Sequence, residues 1–294
     1  MKNSPKTKIR PIEMRIVGGL GNQLFCFFAG LDLAARLKLK LRLDLTDIYS
    51  KSQKHKVTLE SLNLVKNLPT IRRKAYLVSY LINRFYSMKP RANIFRSDEI
   101  GFDSKFEEID SSRRVEGYFQ TYIYFDRVKN FIPNVELINP SNWFLKEKNL
   151  IQENQAIALH VRRGDYIKLK NLYGLLDSSY YLRAIKRLQS MKVDGRIWVF
   201  SDDIVEAKQL LEAVLPSNTH WVIAPETSDA AESLILMSHA TANIIANSTF
   251  SWWGAALNYK NPPVIVPKKW FQNMEDPKKL YPPNWIQIES SWIN

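Results

Sequence analysis

Four times along the chain an apolar run of strand length stops at a short polar cluster and gives way to a helical pattern. The runs are MRIVGG (14–19), AIALHVRR (156–163), RIWVFSDD (196–203) and NIIANS (243–248). Apolar runs without alternation suit strands covered on both faces, and strands that alternate with helices imply parallel sheets. The first run leads through NQLFCFFAGLDLAARLK (22–38) to LKLRLDL (39–45), a βαβ start. After residue 155 the strands alternate with DSSYYLRAIKRLQSM (177–191), which carries an N-cap signature, and with IVEAKQLLEAVL (204–215), SDAAESLILMSHA (228–240) and TFSWWGAALN (249–258). PPVIVPKKW (262–270) reads as a last strand, residues 50–115 as mostly helical, and VEGYFQTYIYF (115–125) as a strand and a turn. The expected fold is α/β, with two Rossmann-like domains whose parallel sheets face a cleft. NVELINPSNWFLKEKN (134–149) marks the boundary and gives domains 1–150 and 151–294, the last segment being able to pack back on the first domain.

A chain of 294 residues with 45% hydrophobic residues buries a sizeable core without staples. The single cysteine, Cys26, excludes an internal disulfide framework; in LFCFFAG it reads as a buried thiol and fits a reducing compartment. The N-terminal segment lacks the apolar core of a signal peptide, and AYLVSYLIN (75–83) is too short to span a membrane. These features predict a soluble, cytoplasmic protein. The net charge of +13 is uneven: residues 1–97 hold 20 basic and 5 acidic residues, the remainder 22 and 24. Lys66 to Arg96 contains eight basic residues and no acid, and Ile71, Ala75, Val78, Ile82 and Phe85 recur at helical spacing. Three readings stand: a core-facing helix with a solvated basic face, peripheral docking on anionic lipid, or nucleic-acid binding. No nucleic-acid motif accompanies the last, so nucleic acid is not an expected partner.

The polar clusters carry the chemistry. GGLGNQ places Gly19, Gly21, Asn22 and Gln23 between a strand and a helix, where backbone amides and a helix N-terminus approach phosphate. With Asp44 about 20 residues on, this superficially matches a dinucleotide fingerprint, but Leu24 occupies the third glycine position. A nicotinamide oxidoreductase is therefore only an alternative, and a tight βα turn is the plainer reading. In HVRRGDY, alternation puts His160 and Arg162 on one face and turns Arg163 away, toward an acid partner. Arg162 offers a bidentate fork for phosphate. Asp165 could cap a turn, fix an arginine or act as a base. Asp202 and Asp203 suit a ribose or a guanine edge, helix capping being the alternative. Ser248, Thr249 and Ser251, with the amides of the helix they open, form a pyrophosphate cradle. Of Trp252 and Trp253, one is expected in the core and one lining the cleft. The constellation is a nucleotide-diphosphate site with no metal-ligand spacing, no P-loop lysine, no kinase signature and no G-x-S-x-G.

GGLGNQLF, HVRRGDY, FSDD and NSTFSWWGA, in this order over residues 16–258, resemble the alpha-1,2-fucosyltransferase family, especially its bacterial members. The arginine motif alone is shared with alpha-1,6- and protein O-fucosyltransferases, so a different linkage is the alternative. The resemblance implies a GT-B arrangement and inverting transfer of L-fucose from GDP-β-L-fucose, without metal or further cofactor. It places Arg162 at the β-phosphate, His160 and Asp203 at the guanosine, Ser248 and Thr249 at the phosphates and Asn22 at the glycosidic oxygen. The acceptor would be the 2-hydroxyl of a sugar, taken as terminal β-galactose in an oligosaccharide or lipid-linked glycan. The N-terminal domain would take the acceptor side and, through its basic excess, peripheral contact with an anionic membrane. Ala256, where bulkier residues are expected, and the polar SHATAN are departures without mechanistic consequence.

Overall fold

Five short parallel strands make the first sheet: β1 (Ile12–Arg15), β2 (Leu41–Asp44), β3 (Thr70–Ile71), β4 (Ile94–Arg96) and β5 (Arg114–Glu116), in the spatial order β3-β2-β1-β5-β4. The computed structural model describes residues 10–49, 59–71, 94–111 and 113–293. Between β1 and β2 runs the helix Leu20–Leu37, most of which is buried, Cys26 included. It lies close on the sheet: a Cβ at Gly30 would stand 3.0 Å from side-chain atoms of both Met14 and Leu41. It ends where Lys38 takes a left-handed conformation, φ 54°. After β5 the expected turn is a helix, Tyr122–Val128, capped by Thr121. Residues 59–111 are not mostly helical where described. They hold two 3₁₀ turns, β3, β4 and the four-residue helix Ser104–Glu107. The basic stretch falls largely on 72–93, outside the described residues.

The second sheet has six parallel strands: β6 (Ile157–Val161), β7 (Ile197–Ser201), β8 (His220–Trp221), β9 (Ala242–Ile244), β10 (Val264–Pro267) and β11 (Ile286–Ile288). Their order is β11-β10-β9-β6-β7-β8. Read from the β8 edge this is the Rossmann sequence of strands, with its switch point between β6 and β9. The core on one face joins Ile157, Leu159 and Val161 to Tyr180, Tyr181, Ala184 and Leu188 of the helix Ser178–Ser190. Because neighbours alternate faces, Ala158 and His160 fall on the other side. The Tyr180 hydroxyl donates to the Ile245 carbonyl at 2.7 Å and ties that helix to the chain leaving β9.

The chain divides into two compact units. One comprises Met1–Val57, Val65–Ile132 and Lys278–Leu280; the other comprises Thr58–Leu64, Pro133–Pro277 and Tyr281–Asn294. The main division falls between Ile132 and Pro133, just before the segment 134–149 in which composition suggests a boundary, and within that segment Ser141 Oγ caps the helix Asn142–Glu153 by accepting from the Phe144 amide at 3.1 Å. Only Lys278–Leu280 of the late segment joins the first unit. There the Thr121 hydroxyl donates to the Lys279 carbonyl at 2.6 Å. Among the described residues no helix is long and apolar enough to cross a membrane.

Candidate functional site

In an open parallel sheet the strands flanking the switch point leave a crevice beyond their carboxyl ends. In the second unit those strands are β6, which runs into HVRRGDY, and β9, which runs into ANSTF, with FSDD following on β7 beside β6. The pairing of Val161 with Ser201 makes Arg162 and Asp202 the next residues of adjacent strands. Their side chains meet: Arg162 Nη1 stands 2.9 Å from Asp202 Oδ2, Nη2 is paired with Asp165, and the guanidinium carbon lies 4.9 Å from the Tyr166 ring centroid. Arg162 Nε is buried without a partner.

Asp202 uses its second oxygen on the backbone, Oδ1 accepting from the Arg163 amide at 2.8 Å. Gly164 turns the chain there with φ +27°, and a Cβ at that position would lie 2.2 Å from Asp202 Oδ2. Arg163 does point inward, 2% exposed, but the acid partner expected for it is not what it finds. Its guanidinium donates to the carbonyls of Arg162 at 2.9 Å and Leu176 at 2.8 Å. Two carbonyls satisfy the buried cation through hydrogen bonds and tie the motif to the segment before the helix Ser178–Ser190.

His160 is 2% exposed and tilts against Phe250, ring centroids 5.6 Å apart, with Nδ1 buried and unpartnered. Burial, and secondarily the Arg162 charge, push its pKa down to about 3, so the imidazole is neutral. Asp203 caps the helix Ile204–Leu211, accepting from the Glu206 amide at 3.0 Å. Ser201 stiffens the same turn, accepting from the Asp203 amide at 3.0 Å. At the end of β9, Ser248 stands at the N-cap of the helix Thr249–Ala256 without a side-chain cap bond, and Thr249 beside it is half-buried. Ser251 is buried and its hydroxyl donates to the carbonyls of Ser248 at 3.1 Å and Ala246 at 3.4 Å. The tryptophan pair departs from expectation, since both Trp252 and Trp253 are fully buried. Their centroids are 4.8 Å apart and Trp285 packs on Trp252.

In the first unit the switch point lies between β1 and β5, and GGLGNQ leaves β1 there. Gly19 is the N-cap of the helix Leu20–Leu37. Gln23 is fully buried and its Nε2 donates to the Gly18 carbonyl at 2.9 Å, which fixes the turn. Gly21 is buried in the first helical turn. Asn22 is half-buried and its Oδ1 accepts from Gln120 Nε2 at 3.1 Å. Asp44 accepts from the Thr46 amide at 3.0 Å and lies 3.3 Å from Arg114 Nη2, committed to its own turn and sheet. Gln120 beside Asn22 in the first unit, and Gly164, Tyr166 and Phe250 beside Arg162, Asp202 and His160 in the second, are neighbours that the motifs do not single out. The glycine beside RR and the glutamine ending VEGYFQ were the available signals. Among the described residues no three His, Cys, Asp or Glu side chains gather as a metal site.

Solved structures share this architecture. Fucosyltransferase NodZ from Bradyrhizobium superposes with a TM-score of 0.52 at 15% identity, over 85% of this chain and 94% of its own. NodZ alpha-1,6-fucosyltransferase soaked with GDP-fucose gives 0.50 at 14% identity, over 87% and 97%. The chain thus shares the α/β fold of these glycosyltransferases. The chain belongs to glycosyl transferase family 11, whose model matches residues 114–289. It is 31% identical over 304 residues to the O-antigen biosynthesis glycosyltransferase WbnK of Escherichia coli, covering 92% of this chain and 98% of that relative. It is 30% identical over 294 residues to an alpha-1,2-colitosyltransferase of the same organism, covering 95% and 99%. Family membership, with Asp44 already engaged, sets the nicotinamide alternative aside.

Proposed function

We propose that the protein transfers L-fucose from GDP-β-L-fucose to the 2-hydroxyl of a terminal β-galactose in an O-antigen-type glycan, with inversion. The observation that carries this reading is Arg162, a half-buried guanidinium held at the switch-point strand end across from the open N-terminus of the helix Thr249–Ala256. As the sugar leaves, the diphosphate gains negative charge. A fixed guanidinium and helix amides that need no reorganisation favour that charge more than the ground state. Ser248 and Thr249 add hydroxyl donors, His160 and Asp203 meet the guanosine, and Asn22 donates to the oxygen joining sugar to phosphate. The acceptor hydroxyl attacks the opposite face and yields the alpha linkage. Asp165 is the candidate base; loss of the proton late, without a base, is the alternative, because the oxocarbenium-like carbon is so electrophilic.

The soaked NodZ supports the donor, WbnK supports the O-antigen context, and the colitosyltransferase supports the alpha-1,2 linkage. That last relative also favours a second reading, a colitosyl donor on the same site. The test is an acceptor panel incubated with GDP-fucose or with a colitosyl donor, followed by mass spectrometry and linkage analysis. The proposal expects a 2-linked fucosyl galactoside, lost in Arg162→Ala. Product only from the colitosyl donor would replace the donor, and transfer by Arg162→Ala at the parent rate would remove the site.

A further inference from the structure

We infer that Gln120 is a positioning residue for the reaction, orienting the Asn22 carboxamide so that its Nδ2, not its Oδ1, is presented as a donor. The inference rests on the reading of Asn22 given above. The two residues are 98 apart in sequence yet meet at the switch point of the first sheet, where the chain leaves β1 and β5. A carboxamide has a donor end and an acceptor end of nearly the same shape, and a neighbour must decide which faces a ligand. Gln120 Nε2 takes Asn22 Oδ1 at 3.1 Å, so Nδ2 is the end left to donate.

The turn that carries Gln120 is held from several sides. Phe119 sits at φ +53°, a conformation costly for an aromatic residue, and is fully buried. A Cβ on Gly117 would stand 2.8 Å from the Phe119 ring and 2.9 Å from Ser97 Cβ, and the Gly117 carbonyl accepts from Cys26 Sγ at 3.3 Å. The Gln120 amide donates to the Ile100 carbonyl at 2.7 Å and the Thr121 amide to Phe119 at 2.8 Å. Gln120 itself is 7% exposed, with Oε1 buried and unpartnered. A buried acceptor left unsatisfied is a cost that a purely packing role would avoid with leucine or methionine. Strain and an orphaned acceptor around one hydrogen bond mark that bond as the purpose of the turn.

Gln120→Glu separates positioning from structure. A carboxylate can only accept, so it would draw Asn22 Nδ2 inward and turn Oδ1 outward while keeping a hydrogen bond. We expect kcat for GDP release from GDP-fucose, with a β-galactoside acceptor, to fall roughly 10- to 100-fold. GDP affinity should stay near that of the parent; the buried carboxylate lowers Tm, so kcat is read well below the melting transition, where the variant is folded. Gln120→Leu should lose a similar factor, and Asn22→Ala with Gln120→Leu should be no slower than Asn22→Ala alone, since coupled residues are not additive. Parent-like kcat in Gln120→Glu beside a slow Asn22→Ala would overturn the inference and leave the site standing. A parent-like Asn22→Ala would overturn both, and full additivity in the double variant would reduce Gln120 to packing.

Discussion

Arg162 and Asp202 meet at 2.9 Å one residue beyond the last paired positions of β6 and β7, so the contact is set by strand register. Asp202 also holds the Arg163 amide, and one carboxylate thereby fixes both the guanidinium and the turn beneath it. Asp202→Asn retains an acceptor for the amide and loses the charge that orients Arg162. The expected result is about a tenfold drop in kcat/KM for GDP-fucose with little change in Tm. Asp202→Ala removes both partners and should cost about 1–3 kcal/mol of stability as well. Steady-state GDP release and thermal melts measure the two; equal, parent-like rates would show that the pair is incidental.

Gly164 is the second half of the same device. Alanine there must adopt φ +27° and place its Cβ 2.2 Å from an Asp202 oxygen already committed to Arg162. Gly164→Ala should therefore destabilise by about 1–3 kcal/mol and weaken GDP binding. In an Asp202→Ser background, where the carboxylate is gone, the same change should cost less. A double-mutant cycle by chemical denaturation checks this: additive losses would place the strain elsewhere.

Much of the site was legible because strands buried on both faces advertise themselves and ligands in parallel sheets gather at their carboxyl ends. HVRRGDY, FSDD and NSTF fall at three neighbouring strand ends of one sheet for that reason. Their individual jobs were less legible. Arg163 finds carbonyls because a buried guanidinium needs acceptors, not specifically acids, and the Leu176 carbonyl is supplied by a segment no motif marks. The hydroxyls of Ser248 and Ser251, three residues apart, differ because one stands at the helix end and the other points back at its own backbone. β8 and β11 are edge strands of two and three residues, too short to show a period. Gln120 shows in the sequence as the glutamine ending VEGYFQ, but its role does not, because its partner lies 98 residues away.

Asp165 is paired with Arg162 but is itself largely exposed, 55% at the side chain. A diphosphate approaching Arg162 must meet that carboxylate, and like charges at short range repel. Asp165→Asn should therefore tighten GDP binding several-fold, read by isothermal titration, with the effect shrinking as salt is raised. If Asp165 is also the base, the same variant lowers kcat while KM for the donor falls. Unchanged or weaker GDP binding would show that Asp165 helps Arg162 more than it competes with the ligand.

His160 gives the protein a sign for its pH dependence. Its folded pKa is pushed down to about 3 by burial and, secondarily, by the Arg162 charge, against an ordinary value of 6.5. The unfolded chain takes up a proton at this residue on falling below pH 6.5, whereas the folded protein does so only near pH 3. The stability held above pH 6.5 is thus lost progressively as the pH falls through that window, with a slope of up to about 1.4 kcal/mol per unit from this residue. His239, pushed down to about 4 chiefly by burial, acts in the same direction. His160→Gln cannot take the proton, so its urea-unfolding free energy should fall less between pH 7 and pH 5 than the parent's. Parallel losses in the two proteins would mean that the buried ring is not what acid attacks.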